Sequence, residues 1–315
     1  MFRSTRGVDF GPLLAHVPPR DVAVASAAFV RAAAHASRSL PSVVHDALVD
    51  FADDGHPSGA LVIRGLPVGD LPPTPASPCT TTTKDHVSEF VLLAAARRLG
   101  QPVGYAPEHG GAVVQQLVPT RTAASAQTST SSTVTLDFHT EAAFHPHKPR
   151  FLLLLCLRAD PFGEARTLLC SIESVVDRLS PGARAVLAEP RFRTRPDESY
   201  TGGRRGRPGT RMAVLTGDRA RPTLTFDADL MSGVDAEATA ALDELRALVV
   251  ANHIGVALAA GDLLVVDNHA AVHGRSPFRA RYDGSDRWLQ RSFVVADLSA
   301  SAGERCGRVI TTPFA

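Results

Sequence analysis

His139 and Glu141 stand two residues apart in the stretch Leu136-Asp137-Phe138-His139-Thr140-Glu141, inside a β-rich run. Side chains two apart on an extended chain point to the same side. An imidazole and a carboxylate so placed can converge on one ion. They make two thirds of the two-histidine, one-carboxylate set that holds non-haem Fe(II) in oxygenases. The pair alone is weak, because the same spacing arises in any half-buried strand with a surface glutamate. A third donor must come from elsewhere. More than a hundred residues on, the run from Gly261 to Arg275 reads as a buried strand entering a turn that carries two histidines, His269 and His273. Beyond it, Arg287 and Arg291 bracket Trp288-Leu289-Gln290. A guanidinium can grip a carboxylate with two parallel hydrogen bonds; a surface salt bridge is the plainer use of either arginine.

The elements that must position these residues fall into two textures. Residues 1 to about 20 hold several Gly and Pro and read as a loose arm. Helices are predicted from Asp21, as N-cap, to Ser37, from Ser42 to Ala52, and from Asp85 to Leu99 with Gly100 closing the last. A short strand over Gly59–Gly65 and a Pro- and Thr-rich loop over 66–83 interrupt them. From about residue 101 the pattern becomes many short strands, at Val113–Val118, Val134–Phe138, Arg150–Leu157, Thr167–Cys170, Met212–Leu215, Thr223–Phe226, Gly255–Leu258, Leu263–Asp267 and Arg291–Val295. Helices are expected near Ile172–Leu179, Pro181–Ala188 and Ala236–Ala251. Strands so short, with Gly and Pro between them, suggest a sandwich or barrel. The segment 193–211, with six arginines and four glycines, is either a solvated loop or a lid over a site. No repeat or linker divides the 315 residues, so one domain is expected over 1–315, mainly helical to residue 100.

Composition excludes several classes. A net charge of +1 gives no electrostatic case for nucleic acid or an anionic membrane. No apolar run approaches a membrane span, and the N-terminus does not read as a secretory signal, so a cytoplasmic protein is expected. Cys79, Cys156, Cys170 and Cys306 are scattered without zinc-site spacing, and Cys156 and Cys170 sit in apolar runs as reduced core residues.

Three stretches carry a family resemblance: LDFHTEAAFHPHKPRFLLLLCLR (136–158), GDLLVVDNHAAVHGRSPF (261–278) and RYDGSDRWLQRSFV (281–294), together with Thr167. The chain resembles the clavaminate synthase-like Fe(II)/2-oxoglutarate oxygenases. Within them it is most similar to the free amino-acid hydroxylases of the asparagine oxygenase and viomycin-pathway arginine β-hydroxylase type. The resemblance implies a double-stranded β-helix (jelly roll) core with a helical N-terminal third. It implies His139, Glu141 and His273 as iron ligands, with His273 chosen over His269 because the matching histidine stands in His-Gly-Arg. His145 and His147 are expected to be structural loop residues. Thr167 and Arg287 match the residues that hold the far carboxylate of 2-oxoglutarate. Arg291 matches the arginine that meets the substrate carboxylate, with Glu141 near the α-amino group. Asp227, and with it Asp229, matches acidic residues that reach the substrate side chain; a turn capped by aspartate is the plainer reading. Ser129 is a further substrate-facing candidate. Of Gln115 and Gln116 only one can face inward, and the expectation is Gln116. Asp137-Phe138 and His269-Ala270 depart from the family's commoner wording, which bears on substrate rather than on iron chemistry.

The implied activity uses Fe(II), 2-oxoglutarate and O2 to hydroxylate an sp³ carbon, Cβ foremost, of a free L-amino acid with a polar or basic side chain, in specialised metabolism such as antibiotic biosynthesis. Desaturation, cyclisation or sequential oxidation would use the same residues. A carrier-protein-bound amino acid is a second kind of partner, which the basic 193–211 segment would suit. A non-catalytic jelly-roll binding protein is the alternative from outside the class, and it would have no use for Arg287.

Overall fold

The computed structural model describes residues 2–80, 83–201, 204 and 206–314. In chain order its main elements are α1 (Ala27–Ala36), α2 (Ser42–Asp54), β1 (Ala60–Arg64), α3 (Val87–Leu99), β2 (Gln101–Tyr105), β3 (Gln115–Leu117), β4 (Leu136–His139), β5 (Phe151–Arg158), β6 (Thr167–Ser171), α4 (Pro181–Leu187), α5 (Ala236–Asn252), β7 (Ile254–Val256), β8 (Leu263–Asp267), β9 (Ala271–Arg275) and β10 (Trp288–Val295). Two sheets face each other. The larger runs Phe2–Ser4, β1, β8, β5, β10, β2, Val309–Ile310, Arg305–Cys306, with β3 also paired to β10. The smaller runs β7, β6, β9, β4. This is the jelly roll expected from the resemblance, with helices packed outside it.

The unbroken apolar run of β5 follows from its central place between β8 and β10. Alternate side chains serve two layers. Leu153, Leu155 and Leu157 join the core made with α1, α2 and α3, while Leu152, Leu154 and Cys156 face the interior between the sheets. β10 divides the same way. Trp288 and Val294 pack towards the helices, and Leu289 and Phe293 face inward. Arg287 and Arg291 share the inward parity, so the larger sheet delivers both to the interior. In the smaller sheet, Phe138, Leu168, Cys170 and Val272 pack against α4 and α5. The opposite face carries His139, Thr167, His273 and Arg275.

Several expectations need correction. The N-terminal arm is not loose: Phe2–Ser4 pairs in parallel with β1, and Phe10 and Leu13 are buried. α1 starts five residues later than expected, because Ser26, not Asp21, caps it by accepting a hydrogen bond from the Phe29 N–H. α3 begins at Val87, with the Asp85 carboxylate accepting from the Val87 N–H. Ile172–Leu179 forms two 3₁₀ turns instead of a helix. Met212 makes only an isolated bridge to Phe192, and the expected strand there lies at Leu215–Gly217. Gln101–Tyr105 and Ala271–Arg275 are strands that the apolar pattern did not reveal. The first is short and holds Pro and Gly, and the second holds two polar inward residues. Residues 81 and 82 of the Pro- and Thr-rich loop lie outside the described residues, as do 202, 203 and 205 of the arginine-rich segment. In the rest of that segment Phe192–Thr194 pairs with Met231–Gly233, and Glu198–Thr201 forms a 3₁₀ turn.

One buried polar link ties α3 to β10. Lys84 Nζ donates to Glu89 Oε2 at 2.5 Å and to Ser88 Oγ at 2.7 Å, and Gln290 Nε2 donates to Glu89 Oε1 at 2.8 Å. All four side chains are buried. Glu89→Ala would strand the Lys84 ammonium, and is expected to cost about 3–5 kcal/mol, read as a shift in the chemical-denaturation midpoint. A loss below about 1 kcal/mol, the range of exposed pairs, would show that the link is not what fastens the helix to the strand.

Candidate metal centre and its cavity

β4 and β9 pair antiparallel with His139 opposite His273, their ring centroids 4.3 Å apart. Glu141 lies just past the end of β4. Its Oε2 is 3.6 Å from His273 Nε2. The donor atoms of His139, Glu141 and His273 all lie within 4.8 Å of one another. His139 Nδ1 is 2.8 Å from the Asp137 carbonyl, which can only accept, so Nδ1 carries the proton and Nε2 keeps its lone pair for a ligand. Glu141 is set by its backbone. Its N–H donates to Asn268 Oδ1 at 2.7 Å, and Asn268 Nδ2 donates back to the Glu141 carbonyl at 3.1 Å and to the Pro149 carbonyl at 2.9 Å. The chain then turns at Ala142 with φ +50°, an uncommon conformation for a residue with a side chain.

The protonation states suit a metal. Burial pushes the His273 imidazole down to about 4, helped by the neighbouring His139, so it is a neutral donor at pH 7. Burial raises the Glu141 carboxyl, but Arg291, His273 and His139 outweigh it and hold it at about 2. Two neutral nitrogens and a carboxylate oxygen on one side of an open cavity are the donor set of a non-haem Fe(II) oxygenase, leaving positions free for small-molecule ligands. The residues present therefore fit that ion.

The cavity is about 380 Å³ and is lined by all three donors, Thr167, Arg275, Arg287, Arg291, Glu108, Asp137, Asp197, Tyr200, Asp227, Asp229 and Ser129, among others. Thr167 Oγ1 accepts from Arg287 Nη2 at 3.5 Å. Arg291 is almost fully buried. Its Nη1 reaches Glu141 Oε2 at 3.3 Å, its Nη2 pairs with Glu108, and its Nε donates to Gln115 Oε1 at 2.8 Å. Burial raises the Glu108 carboxyl, opposed by Arg291. Tyr200 donates to Glu108 Oε2 at 3.3 Å and packs among Tyr105, Phe144 and Phe314.

Most of the residues singled out in the sequence meet here. Asp227 makes the aspartate-capped turn that was its plainer reading, its Oδ1 accepting from the Asp229 and Leu230 N–H groups, and it also faces the cavity. Gln116 is a miss. Its Oε1 accepts from Trp288 Nε1 at 2.7 Å, on the helical side of the sheet, whereas Gln115 pairs in register with Arg291 and shares its inward face. His269 is turned away from the centre, 3.0 Å from Arg150 Nη1 by its Nδ1, as the preference for His273 requires. His145 accepts from the His147 N–H and packs on Tyr105, so both act in the loop's structure. Glu108, Asn268, Asp197, Tyr200 and Arg275 went unassigned. Asn268 and Arg275 sat inside a quoted motif, and Asp197 and Tyr200 inside the segment weighed as a lid; nothing around Glu108 marks it in one sequence.

A family model described as taurine catabolism dioxygenase TauD, TfdA family matches residues 30–293. The chain belongs to the TauD/TfdA dioxygenase family. Its metal is Fe(II), with 2-oxoglutarate and dioxygen as cosubstrates. The L-asparagine oxygenase of Streptomyces coelicolor is 41% identical over 282 residues, covering 89% of this chain and 84% of the relative. The L-lysine 3-hydroxylase of Catenulispora acidiphila is 38% identical over 286 residues, covering 89% and 79%. A solved asparagine oxygenase in complex with Fe(II), 2S,3S-3-hydroxyasparagine and succinate has a TM-score of 0.92 at 37% identity, covering 98% of each chain. As a TauD/TfdA dioxygenase, the chain should lose Fe(II) affinity roughly 10–100-fold on Asn268→Ala, which leaves the ligand set intact but frees the Glu141 backbone. His269→Ala should leave affinity unchanged. Anaerobic Fe(II) titration against a competing chelator reads both, and equal losses would contradict this assignment of the third ligand.

Proposed function

We propose that this TauD/TfdA dioxygenase hydroxylates a free L-amino acid at Cβ, and that its preferred substrates carry a basic side chain. One observation carries the reading: the cavity lining holds arginines together with a surplus of carboxylates. Three arginines, Arg275, Arg287 and Arg291, line the cavity with six carboxylates: Glu108 and Glu141 pair with Arg291, and Asp137, Asp197, Asp227 and Asp229 add four more, with Asp137 and Asp229 exposed. His109 also lines the cavity, but burial and Arg291 push it down to about 4, so it is neutral at pH 7. A molecule that carries both a carboxylate and a cationic side chain suits that lining.

In this reading His139, Glu141 and His273 hold iron, and Thr167 and Arg287 hold the far carboxylate of 2-oxoglutarate. Arg291 takes the substrate's α-carboxylate, Glu141 and Glu108 face its α-ammonium, and Asp227 and Asp229 face its side chain, with Ser129 beside them. Bound there, Fe(II) supplies the coupling of 2-oxoglutarate decarboxylation to C–H hydroxylation. The protein's part is orientation and exclusion of water. Two charged ends held by separate residues leave the substrate little freedom to rotate, so one carbon is presented to the centre. A carrier-bound thioester would offer Arg291 no α-carboxylate, which favours the free amino acid. Names of relatives support position 3: one is a lysine 3-hydroxylase, and a solved one holds 3-hydroxyasparagine. We read residues 1–315 as one oxygenase domain, and the 193–211 segment as its lid through Asp197 and Tyr200. The cytoplasm is the proposed compartment, consistent with four free cysteines and with no described helix long and apolar enough to cross a membrane.

Purified protein given Fe(II), ascorbate, 2-oxoglutarate and a panel of amino acids should release succinate matched by a hydroxylated product. Lysine, ornithine or arginine should lead, with aspartate and glutamate inert. Asp229→Asn should lower kcat/KM for the basic substrates roughly tenfold, the size of one lost charge-assisted hydrogen bond. Turnover of aspartate, or no iron-dependent turnover at all, would contradict the reading.

A further inference from the structure

We propose that Arg275 is a second cation of the cosubstrate subsite, acting with Arg287 on the far carboxylate of 2-oxoglutarate. This rests on the reading of the cavity as a 2-oxoglutarate site and adds a residue to it. Arg275 follows His273 by two on β9, so both leave the same face of the strand. The register puts it opposite Thr167, and Thr167 Oγ1 is in turn the contact of Arg287. The three side chains form one patch of the cavity wall.

Arg275 is buried, at 5% exposure. Its Nη1 donates to the Ser131 carbonyl, and its Nη2 donates to Ser131 Oγ and to the Val134 carbonyl, each at 2.9 Å. Its Nε has no hydrogen-bond partner. All these acceptors are neutral. Among the described residues neither Arg275 nor Arg287 has a carboxylate in ion-pair contact, whereas buried Arg291 has two and Arg150 has Asp267. A buried charge without a counter-ion is costly, and two like charges in one patch are more so. An anion entering the cavity beside Thr167 relieves both. The forked end of Arg275 is committed to the 131–134 turn, so it acts on that anion through its field across a poorly solvated wall, not through a bond. It is a positioning and electrostatic residue: it holds the turn that continues into Thr130, Ser129 and Thr128 of the cavity wall, and raises the potential where Arg287 makes contact.

The test is calorimetric binding to the anaerobic Fe(II)-loaded protein. Two ligands are compared, 2-oxoglutarate and 2-oxopentanoate, a five-carbon 2-oxo acid that lacks the far carboxylate. Arg275→Met should weaken 2-oxoglutarate roughly tenfold while 2-oxopentanoate changes by less than about twofold, since only the first carries the charge that Arg275 senses. Arg275→Lys, which keeps the charge but not the fork, should retain most of the 2-oxoglutarate affinity. Equal weakening of both acids, no change in either, or lysine no better than methionine would reduce Arg275 to a brace for the turn and overturn the proposal. If neither variant folds, Arg287→Ala decides: part of the preference for 2-oxoglutarate should survive through Arg275, and its complete loss would overturn the proposal. A parent protein that binds no 2-oxoglutarate would instead overturn the oxygenase reading beneath it.

Discussion

The structure depends on one register, that of β4 against β9, which sets His139 opposite His273. A slip of one residue would turn one imidazole from the interior to the apolar layer against α4 and α5, and the metal site would vanish. Two features pin the pairing. β9 is also zipped to β6 over five consecutive positions, Ala271 to Arg275. Gly274 lets β4 come close, since a Cβ there would lie 2.5 Å from the Leu136 carbonyl oxygen. The glycine of the His-Gly-Arg tripeptide thus has a packing reason: any larger residue would push away the strand that carries the partner histidine.

The carboxylate ligand is fixed by different means, because it lies beyond the ladder. Asn268 copies a backbone pairing for Glu141, using both ends of its amide, and Thr140 pairs with Phe226 on the other side, N–H to carbonyl at 2.7 Å. The Phe226 pairing also brings Asp227 to the cavity. Charge is distributed along the same lines. Arg291 is compensated within the protein by Glu108 and Glu141, while among the described residues neither Arg275 nor Arg287 has a carboxylate in ion-pair contact.

Much of this was legible in the chain. The alternation of β5 and β10 was not visible as alternation, since both faces are buried and both runs read as continuous, yet their existence was plain from length and composition. The ligands could be named because two long motifs fix them. The substrate side was harder. Gln115 and Gln116 differ only in parity, and parity is set by the partner strand, here by Arg291 opposite Gln115. Asp21 was a reasonable cap on local grounds, but turns through Pro19–Val22 and Ala23–Ser26 postpone the helix to Ser26. Glu108 comes to the site only through tertiary packing, and no short-range pattern announces that.

Iron K-edge anomalous diffraction from crystals grown or soaked anaerobically with Fe(II) tests the central claim directly. The account predicts a single peak at bonding distance from His139, Glu141 and His273 alone among protein side chains, with its remaining positions open to the cavity. A peak bound by His269, a fourth protein ligand closing the site, or no peak between β4 and β9 would contradict it.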